Sequence, residues 1–116
     1  PMRVKRGIAR HRRHKKIKEL AKGYQGLRHK IHRKAKDAVI KAGKHAYMDR
    51  RKKKRNFRAL WIIRLGAAVR AQGVSYSAFI KGLKTKHVGL DRKVLSELAI
   101  HEPVVFDRIV KEVTGK

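Results

Sequence analysis

The sequence predicts an all-α protein, with a long basic helical N-terminal extension over residues 1–58 and a small C-terminal helical domain over residues 59–116. Three observations support this prediction. Apolar residues recur at helical spacing, whereas the β-branched alternation typical of strands is almost absent. Helix caps and glycine stops follow one another through the second half. The first 60 residues hold 24 of the 34 Lys and Arg residues and only three acids.

The net charge of +26 at pH 7 restricts the class of partner. A compact body with this charge repels itself, and the polyanion that most commonly lowers such repulsion is a phosphate backbone. A chain of 116 residues allows one domain at most. The sequence therefore predicts a nucleic-acid-binding extension attached to a nearly ordinary small domain.

The first predicted helix runs from His11 to Lys22, where three apolar residues form one stripe in an otherwise cationic segment. Residues 1–10 have no apolar periodicity, so we expect them to be extended until they bind a partner. Gly23 is placed to end the helix, and residues 23–26 predict a turn.

A second, long helix is predicted from Leu27 or Arg28 to about residue 71. No proline lies between Pro1 and Pro103 to interrupt it, and Gly73 is its natural stop. Such a helix is about 65 Å long at about 1.5 Å per residue. Because the remainder of so short a chain cannot cover that length, we expect its first half to lie against another molecule.

Three short helices are predicted to complete the domain. Ser75 and Asp91 suit the N-caps of the first two, and Pro103 suits the first position of the third, which Gly115 ends. Short connections favour a compact helical cluster. Its candidate core residues are all apolar: Trp61, Leu65, Phe79, Leu83, Leu95, Leu98, Phe106 and Ile109. We expect Trp61 to be a core residue rather than a stacking platform for a base.

Six consecutive cations, Arg50 to Arg55, form the densest block of charge. On a helix these residues point all round the cylinder, which suits contact with phosphates on several sides. The alternative is a localisation signal or a disordered tail. Near the N-terminus, arginines can bind phosphates bidentately and stack on bases, which lysine does less well. These arginines are Arg3, Arg6, Arg10, Arg12 and Arg13.

Tyr24 lies in the glycine turn, where it could stack on a base or, equally well, anchor two helices. Four histidines form two His-x-x-His pairs, at His11 and His14 and at His29 and His32. We expect these imidazoles to face RNA rather than to bind zinc. No thiolate supports a zinc site, and the surrounding cations oppose a divalent ion.

Other classes of function find no support in the sequence. It has no cysteine, no paired carboxylates in its basic half and no glycine-rich phosphate loop. We therefore expect no enzyme, no metal and no cofactor. No apolar run approaches the about 20 residues of a membrane span. The extension has too few large apolar residues for membrane anchoring, and the first residues resemble a mature cytosolic start or a processed organellar one.

Several strings of residues resemble one family closely. They are Arg3-Val4-Lys5-Arg6-Gly7, His14-Lys15-Lys16, Ala21-Lys22-Gly23-Tyr24-x-Gly26, Lys41-Ala42-Gly43-x-x-Ala46-Tyr47-x-Asp49-Arg50-Arg51, Lys54-Arg55-x-Phe57-Arg58-x-Leu60-Trp61-Ile62, Gly73-x-Ser75-Tyr76-Ser77-x-Phe79-Ile80-x-Gly82-Leu83 and Leu90-Asp91-Arg92-Lys93-Val94-Leu95-x-x-Leu98-Ala99. Nearly end to end, the chain is similar to the family of the bacterial-type large-subunit ribosomal protein number twenty. The resemblance implies an all-α protein whose basic extension penetrates ribosomal RNA and that acts early in subunit assembly.

The resemblance implies RNA contacts at positions that match the family's motifs: Arg3, Lys5, Arg6, His14, Lys15, Lys16, Lys22, Tyr24, Arg50, Arg51, Lys54, Arg55 and Arg58. The predicted set also includes Arg10, Arg12, Arg13, Arg28, Arg33, Lys52 and Lys53. The implied partners are large-subunit ribosomal RNA and neighbouring large-subunit ribosomal proteins, with no membrane and no homo-oligomer. The implied location is the ribosome in the bacterial cytoplasm, or in an organellar matrix or stroma.

The predicted mechanism couples charge neutralisation to ordering of the extension. Like charges one helical turn apart oppose a free helix, and on RNA the cations replace counterions, so affinity should fall steeply with salt. The rival class is a DNA-compacting nucleoid or linker-histone-like protein. Such tails are typically rich in Lys, Ala and Pro, whereas the first 60 residues here hold 11 Arg beside 13 Lys and a single Pro. That composition favours folded RNA.

Overall fold

The computed structural model describes Arg3 and residues 7–115. The helices are α1 (Gly7–Leu20), α2 (His32–Ala71), α3 (Tyr76–Thr85), α4 (Arg92–His101) and α5 (Pro103–Thr114), with one 3-10 turn at Gly26–Arg28. No strand occurs in the described part of the chain, and the all-α prediction is confirmed. The chain divides into two compact units, residues 1–51 and residues 52–116. The predicted division of roles at residue 58 stays a prediction.

The first helix begins earlier than the sequence predicts. Gly7 to Arg10 are already helical, so the expectation of an extended segment up to residue 10 is wrong for these four residues. Apolar periodicity reports burial, and α1 contains no buried residue. Arg and Ala nevertheless have high helix propensity, so a helix can form without an apolar face. The predicted glycine stop is confirmed, since Gly23 has a φ of +86°.

The long helix begins later than predicted, at His32 rather than at Leu27 or Arg28. Gly26–Arg28 form a 3-10 turn in its place, and Gly26 has a φ of +60°. The chain reverses through this turn before α2 starts, which sequence periodicity could not show because Leu27 fits the same apolar stripe. From His32 the helix continues for 40 residues without a break, as predicted.

Gly73 ends α2 as predicted, in a Schellman motif. Its φ is +74°, and its N–H donates to the carbonyl of Arg70 at 2.9 Å, while the N–H of Val74 donates to the carbonyl of Val69 at 3.0 Å. Val69 and Val74 are both buried in the core. The motif therefore satisfies the last carbonyls of the helix and turns the chain toward α3 at the same point.

The unit formed by residues 52–116 has one apolar core. Phe79 and Phe106 are its largest fully buried side chains. Their ring centroids lie 5.9 Å apart and their planes are tilted by 56°, a favourable arrangement for aromatic pairs. Its buried members are Leu65, Val69, Val74, Phe79, Leu83, Leu95, Phe106, Val110 and Val113. Of the predicted core residues, five are buried, and Leu98 and Ile109 are partly buried against them.

The prediction of Trp61 as a core residue is wrong. Its side chain is only partly buried and lies outside this core. The first residue of α2 that belongs to the core is Leu65. From Leu65 onward, side chains of α2 join the buried cluster with residues of the three short helices, so the preceding helical turn stays at the margin of the unit. Nearby, the ring of Phe57 has its centroid 6.3 Å from that of Trp61.

The predicted caps of the short helices are confirmed. Ser75 Oγ accepts from the N–H of Ala78 at 3.3 Å, and Asp91 Oδ1 accepts from the N–H of Val94 at 2.8 Å. Pro103 occupies the start of α5, and Gly115 ends it with a φ of +69°. These bonds fix where each short helix begins, which sets how the helices meet around the core.

Candidate nucleic-acid interface

The predicted RNA-binding residues lie on α1, on α2 and in the turn between them. Arg3 is exposed, as are Arg10, Arg12, Arg13, Lys15, Lys16, Lys22, Arg28, Arg33, Arg50, Arg51, Lys52, Lys53, Lys54, Arg55 and Arg58. His14 and Tyr24 are partly buried. Lys5 and Arg6 lie outside the described residues. The structure thus leaves almost the whole described set accessible to a partner.

The described cations of this set form no ion pair with a carboxylate. Over Arg3 and residues 7–115, the ion pair found is Lys86 with Glu112, at 3.9 Å, far along the chain from the predicted set. The positive charge on α1 and the first half of α2 therefore forms no ion pair within the described residues, and it far exceeds the three acids of these segments, Glu19, Asp37 and Asp49. An unpaired, exposed cation is the form that replaces condensed counterions on a phosphate backbone.

The block from Arg50 to Arg55 is helical throughout, and every one of its side chains is exposed. Successive residues of an α-helix are turned by about 100°, so these six cations surround α2 instead of marking one face. No side of the helix at this level is apolar enough to pack on a protein core. The arrangement suits a helix with phosphates on more than one side.

Tyr24 lies in the turn between α1 and α2. Gly23 and Gly26 both have positive φ, and the ring Nδ1 of His29 lies 2.6 Å from the carbonyl oxygen of Tyr24, within hydrogen-bonding distance. Tyr24 itself is partly buried. The backbone of the turn is therefore held in place, and the ring is neither fully buried as an anchor nor fully free.

A cleft of about 1220 Å³ opens between this turn and one face of α2. The cleft is lined by several basic side chains and by Tyr24. The residues that line it include Tyr24, Arg28, Lys34, Lys41 and His45, and Asp37 is the one carboxylate among its described lining residues. Cations beside an aromatic ring can bind a nucleotide through its phosphate and its base. The arrangement offers a place for an unpaired nucleotide.

Lys34, Lys41 and His45 are members of this cleft that the sequence analysis missed. Their spacing of seven and then four residues places them on one face of a helix. This shared face could have been predicted from the sequence. The sequence did not show that the turn at residues 23–28 folds back over this face, because the start of α2 was predicted too early.

The histidines pair differently from the prediction. The rings of His14 and His32 are stacked, with centroids 3.7 Å apart and planes 14° apart. Loss of hydration, the neighbouring His32 and the cations Arg10, Arg13 and Lys18 together lower the pKa of His14 below its usual 6.5. In the described residues, no group of three or more His, Asp or Glu side chains is placed to hold a metal ion.

Among the described residues, no helix combines the length and the apolar character that crossing a membrane requires.

Comparison with known proteins places the chain among ribosomal proteins. The family profile described as "Ribosomal protein L20" matches residues 3–109. The chain is similar to the "Large ribosomal subunit protein bL20" of Nitrosomonas eutropha, with 55% identity over 96% of this chain and 93% of the relative. For the protein of the same name from Ralstonia nicotianae the identity is 56%, over 96% of this chain and 94% of the relative. For the protein of the same name from Leptothrix cholodnii the identity is 56%, over 98% of this chain and 97% of the relative.

Proposed function

The chain belongs to the ribosomal protein L20 family, and from this premise we propose that it binds large-subunit ribosomal RNA directly and helps the early assembly of that subunit. Members of this family are structural, non-enzymatic ribosomal proteins, so the chain is a structural ribosomal component and not an enzyme. The resemblance drawn from the sequence motifs is thereby confirmed. Its location, in this proposal, is the ribosome in the bacterial cytoplasm.

One observation carries the proposal of direct RNA binding: the uncompensated cations on α1 and the first half of α2. They are exposed, and no ion pair in the described residues involves them. Neighbouring RNA helices carry phosphates on the surfaces that face each other. A basic protein helix between two such surfaces neutralises the phosphates of both RNA helices at once. The cations that surround α2 from Arg50 to Arg55 fit that position.

The role in assembly follows from the same charge. A folded RNA brings phosphates together at an electrostatic cost, and a protein with unpaired cations between them lowers that cost. In this proposal α1 and α2 fill the space between RNA helices, while the small domain contributes shape and orientation. Neighbouring large-subunit ribosomal proteins are its proposed protein partners, and it acts as a single copy.

The experiment that tests the location follows the native protein through a sucrose gradient of cell lysate. In magnesium, and again after EDTA has separated the subunits, we expect the protein to travel with the large subunit. Sedimentation with chromosomal DNA, or at the top of the gradient as free protein, overturns the proposal. The first of those results favours a nucleoid protein.

Direct binding is tested with the purified protein and large-subunit ribosomal RNA over a range of salt concentrations. Several phosphate contacts make the affinity fall steeply with salt. For each phosphate contacted, the logarithm of the binding constant falls by about 0.7–0.9 for every tenfold rise in salt concentration. A variant with Gln at positions 50 to 55 should bind more weakly and with a shallower slope. Equal slopes for the two proteins contradict the proposed use of this block.

A further inference from the structure

We propose that Tyr47 is a positioning residue that holds Arg51 as a preorganised fork for one phosphate of the RNA. The inference rests on the proposed function, because it names a contact within the same interface. Tyr47 is not among the residues for which sequence or resemblance predicted a contact. The pairing of its ring with Arg51 is what sets it apart.

The two side chains meet on one face of α2, a single helical turn apart. The guanidinium carbon of Arg51 lies 3.5 Å from the centroid of the Tyr47 ring, well inside the about 6 Å at which a cation and a ring face attract. Arg51 Nη1 also donates to the carbonyl oxygen of Tyr47 at 3.3 Å. Two contacts with the same residue thus hold one guanidinium.

The other cations of the block are not held in this way. The guanidinium of Arg50 lies 6.0 Å from the same ring, and Lys53 Nζ lies 5.9 Å from the ring of Phe57, both near the limit of such an attraction. For Arg55 the described residues offer no aromatic partner. Arg51 is therefore the one cation between positions 50 and 55 that sits closely on a ring.

A held guanidinium binds an anion more tightly than a free one. A free Arg side chain loses rotamer freedom when it binds, and a planar fork that is already oriented loses less. With one N–H used by the Tyr47 carbonyl, other N–H groups of Arg51 remain for two oxygens of one phosphate. Tyr47 is 53% exposed, so a phosphate can approach the pair from solvent.

The test is a double-mutant cycle on the full chain, with large-subunit ribosomal RNA as the ligand. Tyr47→Leu removes the ring, and Arg51→Lys keeps the charge but removes the fork. We expect each to weaken binding about two- to fivefold, and the double variant to weaken it no further than either single variant. Tyr47→Phe keeps the ring and should bind like the wild type.

The matched control is Arg55→Lys, the same change at a position without an aromatic partner, which should change the affinity less than Arg51→Lys does. Because none of these changes alters the net charge, the dependence of affinity on salt should keep its slope. Circular dichroism checks that α2 stays helical. Wild-type affinity for Tyr47→Leu, additive losses in the double variant, or an equal loss for Arg55→Lys overturns the inference.

Failure of this inference is distinct from failure of the proposed function. If the wild-type protein does not bind the RNA, the proposed function fails. If it binds with a steep salt dependence and Tyr47→Leu binds equally well, only the positioning role is wrong.

Discussion

The imidazole rings of His14 on α1 and His32 on α2 lie face to face, with centroids 3.7 Å apart and planes 14° apart. This stack joins the two basic helices on either side of the Tyr24 turn. Ala21 and Ala35, which precede and follow the turn, are fully buried. The residues around the turn therefore form a small packed region within a segment whose other side chains are mostly exposed.

The stack should weaken as the pH falls. Loss of hydration, His32 and the nearby cations lower the pKa of His14 below 6.5 in the folded protein. His14 therefore binds a proton more readily when the two rings are apart than when they are stacked. The stabilisation is therefore full above about pH 6.5 and is lost as the pH falls through the lower, folded pKa. An NMR titration of the His14 ring protons measures that pKa.

The variant His32→Phe serves as the control for this titration. It keeps an aromatic ring against His14 but removes one charge that opposes protonation, so the pKa of His14 should rise toward its usual value. A His14 ring in the wild-type protein that titrates at 6.5 or above contradicts the arrangement of the stack.

Gly82→Ala should destabilise the small domain. A Cβ at position 82 on α3 lies 2.5 Å from Val113 Cγ1 and 2.6 Å from the Val113 carbonyl oxygen on α5. A backbone atom cannot be moved by a change of rotamer, so the helices must separate. We expect a loss of about 1–3 kcal/mol in the free energy of unfolding, measured by urea denaturation.

The matched control is Gly66→Ala, a glycine in the interior of α2 where an added Cβ meets nothing within 4 Å. Here the higher helix propensity of Ala should raise stability by about 0.5–1 kcal/mol. Equal effects of the two substitutions would show that the approach of α3 to α5 at Gly82 is not as close as the structure has it.

His87→Gly should stabilise the small domain. His87 ends α3 with a φ of +53°, the one positive φ outside glycine in the described residues. The N–H of Val88 donates to the carbonyl of Leu83 at 2.9 Å, which fixes this geometry. A residue with a Cβ is strained there by about 1–2 kcal/mol, so glycine should raise the melting temperature by about 4–8 °C for each kcal/mol gained.

His87→Ala separates the backbone effect from the loss of the ring. Alanine keeps the Cβ, so it should bring no such gain. A rise in melting temperature as large for Ala as for Gly assigns the effect to the imidazole instead of to the backbone.

Deletion of residues 1–58 should leave a folded helical fragment. All nine buried core residues of the small domain follow residue 58, and so do the caps of α3 to α5. The fragment loses the densest cations, so RNA binding should weaken by more than about a hundredfold and depend less on salt. Circular dichroism and RNA titrations at several salt concentrations measure both properties. An unfolded fragment, or one with the full salt slope, shows that the division at residue 58 is misplaced.

Local chemistry determined much of the fold from the sequence alone. Gly23, Gly73 and Gly115 end their segments with positive φ, and Ser75 and Asp91 cap their helices as predicted. Each of these features depends on one residue and its immediate neighbours along the chain. The charge of the extension is likewise a property of composition, so the prediction of a polyanionic partner needed no coordinates.

Tertiary structure decided the features that depend on distant segments. The late start of α2 follows from the turn that precedes it, and the marginal position of Trp61 follows from where the core begins. Apolar spacing shows only which residues can be buried. The stack of His14 on His32 and the cleft with Lys34 and Lys41 arise because the turn at residues 23–28 folds back on α2. A sequence specifies caps, stops and charge locally, whereas contacts between segments far apart in the chain depend on the angle at which the chain reverses between them.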